Sequence, residues 1–180
     1  MERSPSTPDI LGTRVLHEGY PPTYLDFVRF PDGSARNFLR IDFGDSAQVL
    51  PVNDRREILF VEGYRHGLGS VGLKLPAGGT HRGETPKGTA RRELVEETGH
   101  DAKEFRKLLT LNTLPGYIQG HMHVFLARGL RRVRPDVDRT EVDRVRFLPV
   151  EKVLQLIREG VIVSTSVIAT ILYARERRLL

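Results

Sequence analysis

From Gly78 to His100 the chain reads GGTHRGETPKGTARRELVEETGH, and no other stretch limits the fold as tightly. Four glutamates, three arginines and five glycines fall inside it. The pattern predicts a glycine-rich loop running straight into a helix over Thr85–Thr98. Thr85 suits the N-cap, Pro86 the first helical position, and Gly99 the left-handed position just past the end. At about 100° per residue, Glu97 lies about 40° to one side of Glu93 and Glu96 about 60° to the other. Three carboxylates then share one face, at the helix end that the backbone already makes negative. Like charges one turn apart cost a few tenths of a kcal/mol, and a hard divalent cation with oxygen ligands removes the conflict. Glu84, just ahead of the helix, can approach the same face or orient its members. The competing reading is a solvated helix laced by salt bridges, with Arg92–Glu96 as an i,i+4 pair and Arg91 in solvent.

Composition narrows the setting. The 180 residues suit one domain with a small appendage, and 39% hydrophobic with 28% charged residues is ordinary for a globular protein. With no cysteine, a disulfide framework and a thiolate metal site are both excluded. No apolar run approaches the ~20 residues that cross a bilayer, so no membrane partner is expected. Met1 to Asp9 is polar and Pro-rich, neither a signal peptide nor a transit peptide in pattern, and a cytoplasmic location follows as the expectation. The net charge of +5 suits nucleic acid, a membrane surface or a small anionic substrate. The one dense basic cluster, Arg128 to Arg134, has no interleaved aromatic residues, so single-strand stacking is not expected and no nucleic acid is required.

Along the chain, residues 1–9 are expected to be disordered and 10–43 to form a β-hairpin segment, with a catalytic domain over 44–180. Strands are expected at Thr13–His17, Tyr24–Phe30 and Arg36–Asp42, the last two joined by the Pro31–Ser34 turn. Tyr24, Asp26, Val28 and Phe30 alternate with Leu25, Phe27 and Arg29, so both faces carry apolar residues and a second subunit is expected to cover one of them. Further strands are expected at Gln48–Val52, Glu57–Glu62, Val71–Leu75, Phe105–Thr110, His121–Ala127 and Asp143–Leu148. Helices over Val150–Glu159 and Ser164–Arg178 close the chain. The fold class is α+β with a mixed sheet, and no dinucleotide or Walker-type phosphate loop is present.

Gly78, five residues, Glu84, seven residues, Arg92-Glu93-Leu94, one residue, Glu96-Glu97, one residue and Gly99 together resemble the box of the Nudix hydrolases. Leu94 aside, the seven identities at about 5–7% each match by chance on the order of 10⁻⁹ per starting position. His100 departs from the box, which ends on a bulky aliphatic residue. Over nearly its whole length the chain is similar to the ADP-ribose pyrophosphatase branch. Phe30–Gly33 resembles its dimerising segment, Phe60–Arg65 its strand ending in Tyr-Arg, Leu75–Gly78 its metal-binding loop, and Pro115 the proline that follows its box.

The resemblance implies an α/β/α sandwich with a mixed sheet, an N-terminal hairpin segment and a homodimer. It implies Mg²⁺ or Mn²⁺ held by the Ala77 carbonyl, Glu93, Glu97 and Glu96, with Arg92 orienting the glutamates. It implies hydrolysis of a nucleoside diphosphate linked to another moiety, foremost ADP-ribose to AMP and ribose 5-phosphate. Arg65 would grip a phosphate, Tyr64 or Tyr117 would stack on adenine beside Pro115, and Glu141 would be the general base. Another nucleotide-sugar, a dinucleotide, a capped nucleotide or a non-catalytic ligand-binding module are the alternatives. Lys74 stands where that branch usually has glutamate, and Gly116–His121 lacks its usual acid. Both departures remove negative charge near the pocket and leave room for a more phosphate-rich or otherwise altered substrate. His121 and His123 share a strand face, and a packing or polar role is expected of them.

Overall fold

A computed structural model describes residues 7–133 and 143–180. Of the segment expected to be disordered, residues 1–6 lie outside the described residues, and Asp9 already opens a strand. The chain divides into two units, one running to Gly44 and including Leu114–Gly120, the other made of Asp45–Thr113 and His121–Leu180.

The first unit is a four-stranded sheet ordered β1-β2-β3-β9, with β1 at Asp9–His17, β2 at Thr23–Arg29, β3 at Ala35–Asp42 and β9 at Ile118–Gln119. β2 and β3 pair antiparallel from Thr23↔Ile41 to Arg29↔Ala35 across the expected turn, where Gly33 N donates to Phe30 O at 2.9 Å. The expected alternation holds, but the best-buried residue of the hairpin is Asp26, not an apolar one. Its carboxylate accepts from Thr13 Oγ1 at 2.7 Å and from Arg40 Nε at 2.6 Å. Arg40 in turn lies over the Tyr24 ring, 4.3 Å from its centroid, and donates to Gln119 Oε1 at 2.7 Å. A buried carboxylate survives only when so paired. The β1 edge leaves Ile10 at 65% and Leu11 at 54% exposure.

The second unit holds the other elements: β4 (Ser46–Pro51), β5 (Glu57–Arg65), β6 (Ser70–Lys74), β7 (Ala77–Gly79), α1 (Pro86–Thr98), β8 (His100–Leu111), β10 (Met122–Arg132), β11 (Arg144–Pro149), α2 (Val150–Arg158) and α3 (Thr165–Glu176). One sheet runs β7-β4-β10-β8 with β4 and β10 parallel and the other pairs antiparallel; a second runs β11-β5-β6. The central strands β4, β5 and β10 are covered on both faces, which is why their middles read as nearly continuous apolar runs. Ala47, Val49, Leu59, Phe125 and Ala127 pack with Ala90 and Leu94 of α1. Their neighbours Leu50, Val52, Ile58, Phe60 and Leu126 pack with Val153 and Leu154 of α2 and with Val167 and Ile171 of α3. Gln48, buried beside them, donates to Thr170 Oγ1 at 2.8 Å and ties β4 to α3. This is the α/β/α sandwich with a mixed sheet. Two short strands, β7 and β9, carry no alternation long enough to show in sequence. No helix among the described residues is long and apolar enough to cross a membrane.

Leu94 is fully buried at the seam of α1 with β4 and β10. Leu94→Ala is expected to cost about 2–5 kcal/mol, read as a lower thermal midpoint with unchanged far-ultraviolet dichroism.

Candidate active site

Local chemistry fixes α1 as the sequence predicts. Thr85 Oγ1 accepts from Gly88 N at 3.1 Å, Pro86 begins the helix, and Gly99 ends it at φ 68° with its amide on Val95 O. The stripe turned inward carries Thr89, Ala90, Glu93, Leu94, Glu97 and Thr98. Two glutamates therefore enter the buried face, while Glu96 stays half-exposed.

Arg92 is the hub. Its Nε and Nη2 donate to the two oxygens of Glu84, both at 3.1 Å. Its Nη1 donates to Glu93 Oε1 at 2.6 Å and Glu96 Oε2 at 2.9 Å, and its Nη2 also reaches Gly79 O at 2.8 Å. One guanidinium thus holds three carboxylates and the loop. The Glu84 contact, ahead of those with Glu96 and Glu93, raises the Arg92 pKa further above its ordinary value. Glu84 closes the loop: besides Arg92 it accepts from the His81 amide at 3.1 Å and Thr89 Oγ1 at 2.9 Å. The Arg92 bond, aided by these two, lowers its pKa to about 2.

Glu93 and Glu97 behave oppositely. Burial pushes both pKa values up, against the pull of Arg92 on Glu93 and of Lys74 on Glu97. Glu93 lies so close to Gly78 that a Cβ there would stand 2.1 Å from Glu93 Oε1, so the loop backbone and the carboxylate fit only with glycine at this position. Glu97 Oε1 is paired with Lys74 Nζ, and Glu97 Oε2 accepts from the Ala77 amide at 3.3 Å. Ala77, Glu93, Glu96, Glu97 and Arg92 are therefore brought to one loop–helix corner.

That corner fits a hard divalent cation by its donor chemistry. Its buried carboxylates resist ionisation without added positive charge, and every one is an oxygen donor. Among the described residues no three His, Asp or Glu side chains are gathered as a complete cage. Mg²⁺ does not require one, since it binds through one or two carboxylates and completes its shell with waters and substrate phosphates.

Beside the corner opens a cavity of about 900 Å³ whose lining includes Tyr64, Arg65, Lys74, Ala77, Gln48 and Ser164. Arg65 Nε and Nη2, closed off from solvent, have no hydrogen-bond partner among the described residues. Tyr64 is 57% exposed at the same cavity. Pro115 and Tyr117, the other expected substrate contacts, line a hollow of about 270 Å³ in the first unit, with Asp26, Phe38, Arg40 and Gln119. Glu141, the expected general base, lies outside the described residues.

His100, off-pattern for the box, packs edge-on against Phe147 at 5.6 Å between centroids, in keeping with a packing role. His121 and His123 both face Asp45, at 3.4 and 3.3 Å, a partner that sequence spacing does not place. Arg91 is not free in solvent: it donates to Asp101 Oδ1 at 2.8 Å, and Arg131 reaches Asp101 Oδ2 at 2.6 Å. Sequence reasoning also missed the Lys74–Glu97 pair, although Lys74 already stood out by its charge.

A family model described as NUDIX domain matches residues 42–169. The chain is 34% identical over 136 residues to the ADP-ribose pyrophosphatase of Bacillus subtilis (strain 168), covering 74% of each protein. It is 28% identical over 174 residues to the methanol dehydrogenase activator of Bacillus methanolicus, covering 96% of this chain and 91% of that one. A crystal structure of an ADP compounds hydrolase superposes with a TM-score of 0.86 at 21% identity, covering 97% of this chain and 96% of the other.

Because the Glu84 pKa is about 2 against an ordinary 4.5, its contribution to stability is complete above pH 4.5 and is lost as pH falls toward 2. Glu84→Gln is therefore expected to be less stable than the wild type at neutral pH, with the gap closing over that acid range. Chemical denaturation at a series of pH values measures it, and a pH-independent gap would count against the assignment.

Proposed function

The chain belongs to the NUDIX domain family and is a Nudix pyrophosphohydrolase; from that premise we propose that its substrate is ADP-ribose, cleaved to AMP and ribose 5-phosphate. The observation that carries this reading is a cavity walled by two cationic side chains, Arg65 and Lys74, together with Ala77. Positive charge gathered at one cavity favours a polyanionic ligand, and a diphosphate is such a ligand. A volume of about 900 Å³ falls within the usual range for a small-molecule site. The ADP-ribose pyrophosphatase of Bacillus subtilis, alike over 74% of its length, adds support for the sugar-linked diphosphate.

Roles follow from the contacts. Arg65 holds a phosphoryl oxygen by charge-assisted hydrogen bonds. Tyr64, exposed at the cavity, offers a face to adenine. Glu93, Glu97 and Glu96, with the Ala77 carbonyl, would hold Mg²⁺ or Mn²⁺. When bound, the cation supplies positive charge to the diphosphate and makes a water more acidic. Arg92 fixes Glu93 and Glu96 in orientation by charge-assisted hydrogen bonds. Glu141 is proposed as the base that takes the proton from the attacking water.

Screening nucleoside-diphosphate compounds with Mg²⁺ and with Mn²⁺, and identifying products by mass, tests the reaction. Cleavage in ¹⁸O-labelled water shows which phosphorus is attacked. ADP-ribose is expected to be cleaved fastest, and Glu97→Gln and Glu141→Gln to lower kcat by on the order of a hundredfold or more while retaining the fold. Cleavage of another nucleotide-sugar in preference would replace the substrate. Absence of cleavage with every compound would turn the reading toward a ligand-binding or activating role, as named for the Bacillus methanolicus relative.

We also propose a homodimer formed through the first unit. Its edge strand β1 exposes Ile10, Leu11, Val15 and Leu16, and a nine-residue edge carrying four exposed aliphatic residues invites pairing with another copy. Light scattering on the eluting protein is expected to give twice the chain mass, and Leu16→Glu to give a monomer. A monomeric wild type would discard the assignment.

A further inference from the structure

Glu97 is already held by a cation of the protein itself. Lys74, on the last residue of β6, pairs its ammonium with Glu97 Oε1, and its side chain is only 15% exposed. The Ala77 amide takes the other oxygen. Arg92 does the same for Glu84, Glu93 and Glu96, so every carboxylate of the corner has a protein cation on it. Glu93 and Glu96 share Arg92 Nη1, whereas Glu97 is drawn to Lys74.

The two cations differ in how easily they can leave. Arg92 is locked by five hydrogen bonds to Glu84, Glu93, Glu96 and Gly79. Lys74 makes its one ion pair through a flexible four-carbon stem and a compact ammonium. It also lines the cavity that contains Arg65, so it has somewhere to go.

We propose that Lys74 is a resident counter-ion at the Glu97 position. A divalent cation is taken up there by exchange with the Lys74 ammonium, which swings into the cavity and joins Arg65 in holding the substrate's phosphates. This rests on the reading that Glu97 binds a divalent cation. The lysine weakens metal uptake in the absence of substrate and keeps the buried carboxylate paired when no metal is present. No covalent bond of the protein is made or broken in the exchange: Glu97 gives up its hydrogen bond to Lys74 and would take the place of a water on the hydrated cation.

Mn²⁺ titration of the intact protein, following the paramagnetic resonance of free Mn²⁺, tests it without reference to turnover. Lys74→Met is expected to bind Mn²⁺ about tenfold more tightly than the wild type, because a competing charge has been removed at contact distance. Arg65→Met, the same charge change in the same cavity, is expected to leave affinity within about twofold. Lys74→Gln is the second variant should the methionine fail to fold; its neutral amide can still hydrogen-bond Glu97, and the same tightening is expected. Equal affinity in wild type and Lys74 variants would overturn the exchange while Glu97→Gln still reported the metal site. An equal tightening in Arg65→Met would reduce the effect to net charge and overturn it as well. Absence of Mn²⁺ binding in wild type and Lys74 variants alike would overturn the metal reading and this inference with it.

Discussion

The guanidinium of Arg92 is the contact on which the loop–helix corner depends. Through Glu84 it anchors the loop, through Gly79 O it fixes the loop backbone, and through Glu93 and Glu96 it sets the helix face. Without it, Glu93 and Glu96 would crowd the negative end of α1 beside Glu97, with the Lys74 ammonium on Glu97 as the remaining partner charge. The box spacing is the covalent expression of this one geometry. Glu84 must stand far enough ahead of Arg92 for the loop to fold back, and Glu96 one turn after it. Gly78 must lack a side chain because Glu93 occupies that space. Function and local stability are thus drawn from the same set of contacts.

The protein manages opposite demands on its acids by giving them different surroundings. Glu84 and Asp101 sit among donors and are held to about 2, where they act as structural ties. Glu93 and Glu97 are placed on the inward stripe, where burial works against ionisation and leaves them seeking positive charge. A carboxylate of the second kind is poorly used as a tie and well suited to a cation. The contrast separates the two roles more sharply than the identity of the residues, since three of the four are glutamates within one short stretch.

Much of this is legible in the sequence, and the limits have physical reasons. Thr85, Pro86 and Gly99 mark the helix because capping is local chemistry, and the structure places the helix ends accordingly. The apolar runs of β4, β5 and β10 show burial, although only the structure shows which residue faces α1 and which faces α3. Contacts between residues distant in the chain leave no spacing to read. Asp26 finds Arg40 by strand register, Lys74 meets Glu97 across 23 positions, and Asp45 meets His123 across 78. Asp26, Arg40 and Asp45 look like ordinary surface charges until the chain folds. Arg65 stands out in sequence only by its resemblance; its closed-off, unpartnered nitrogens are a property of the fold.

The short strand β9 carries a consequence for how the chain can be assembled. It lies between segments of the second unit yet pairs with β3, Ile41 against Ile118, so the first unit is sewn from two separated lengths of chain. During synthesis the N-terminal strands emerge more than seventy positions before the residues that complete their sheet, and Arg40 must wait as long for Gln119. A cut after Gly44 would therefore divide one unit instead of separating two. Evolution can exchange such a segment only together with the Leu114–Gly120 excursion that belongs to it.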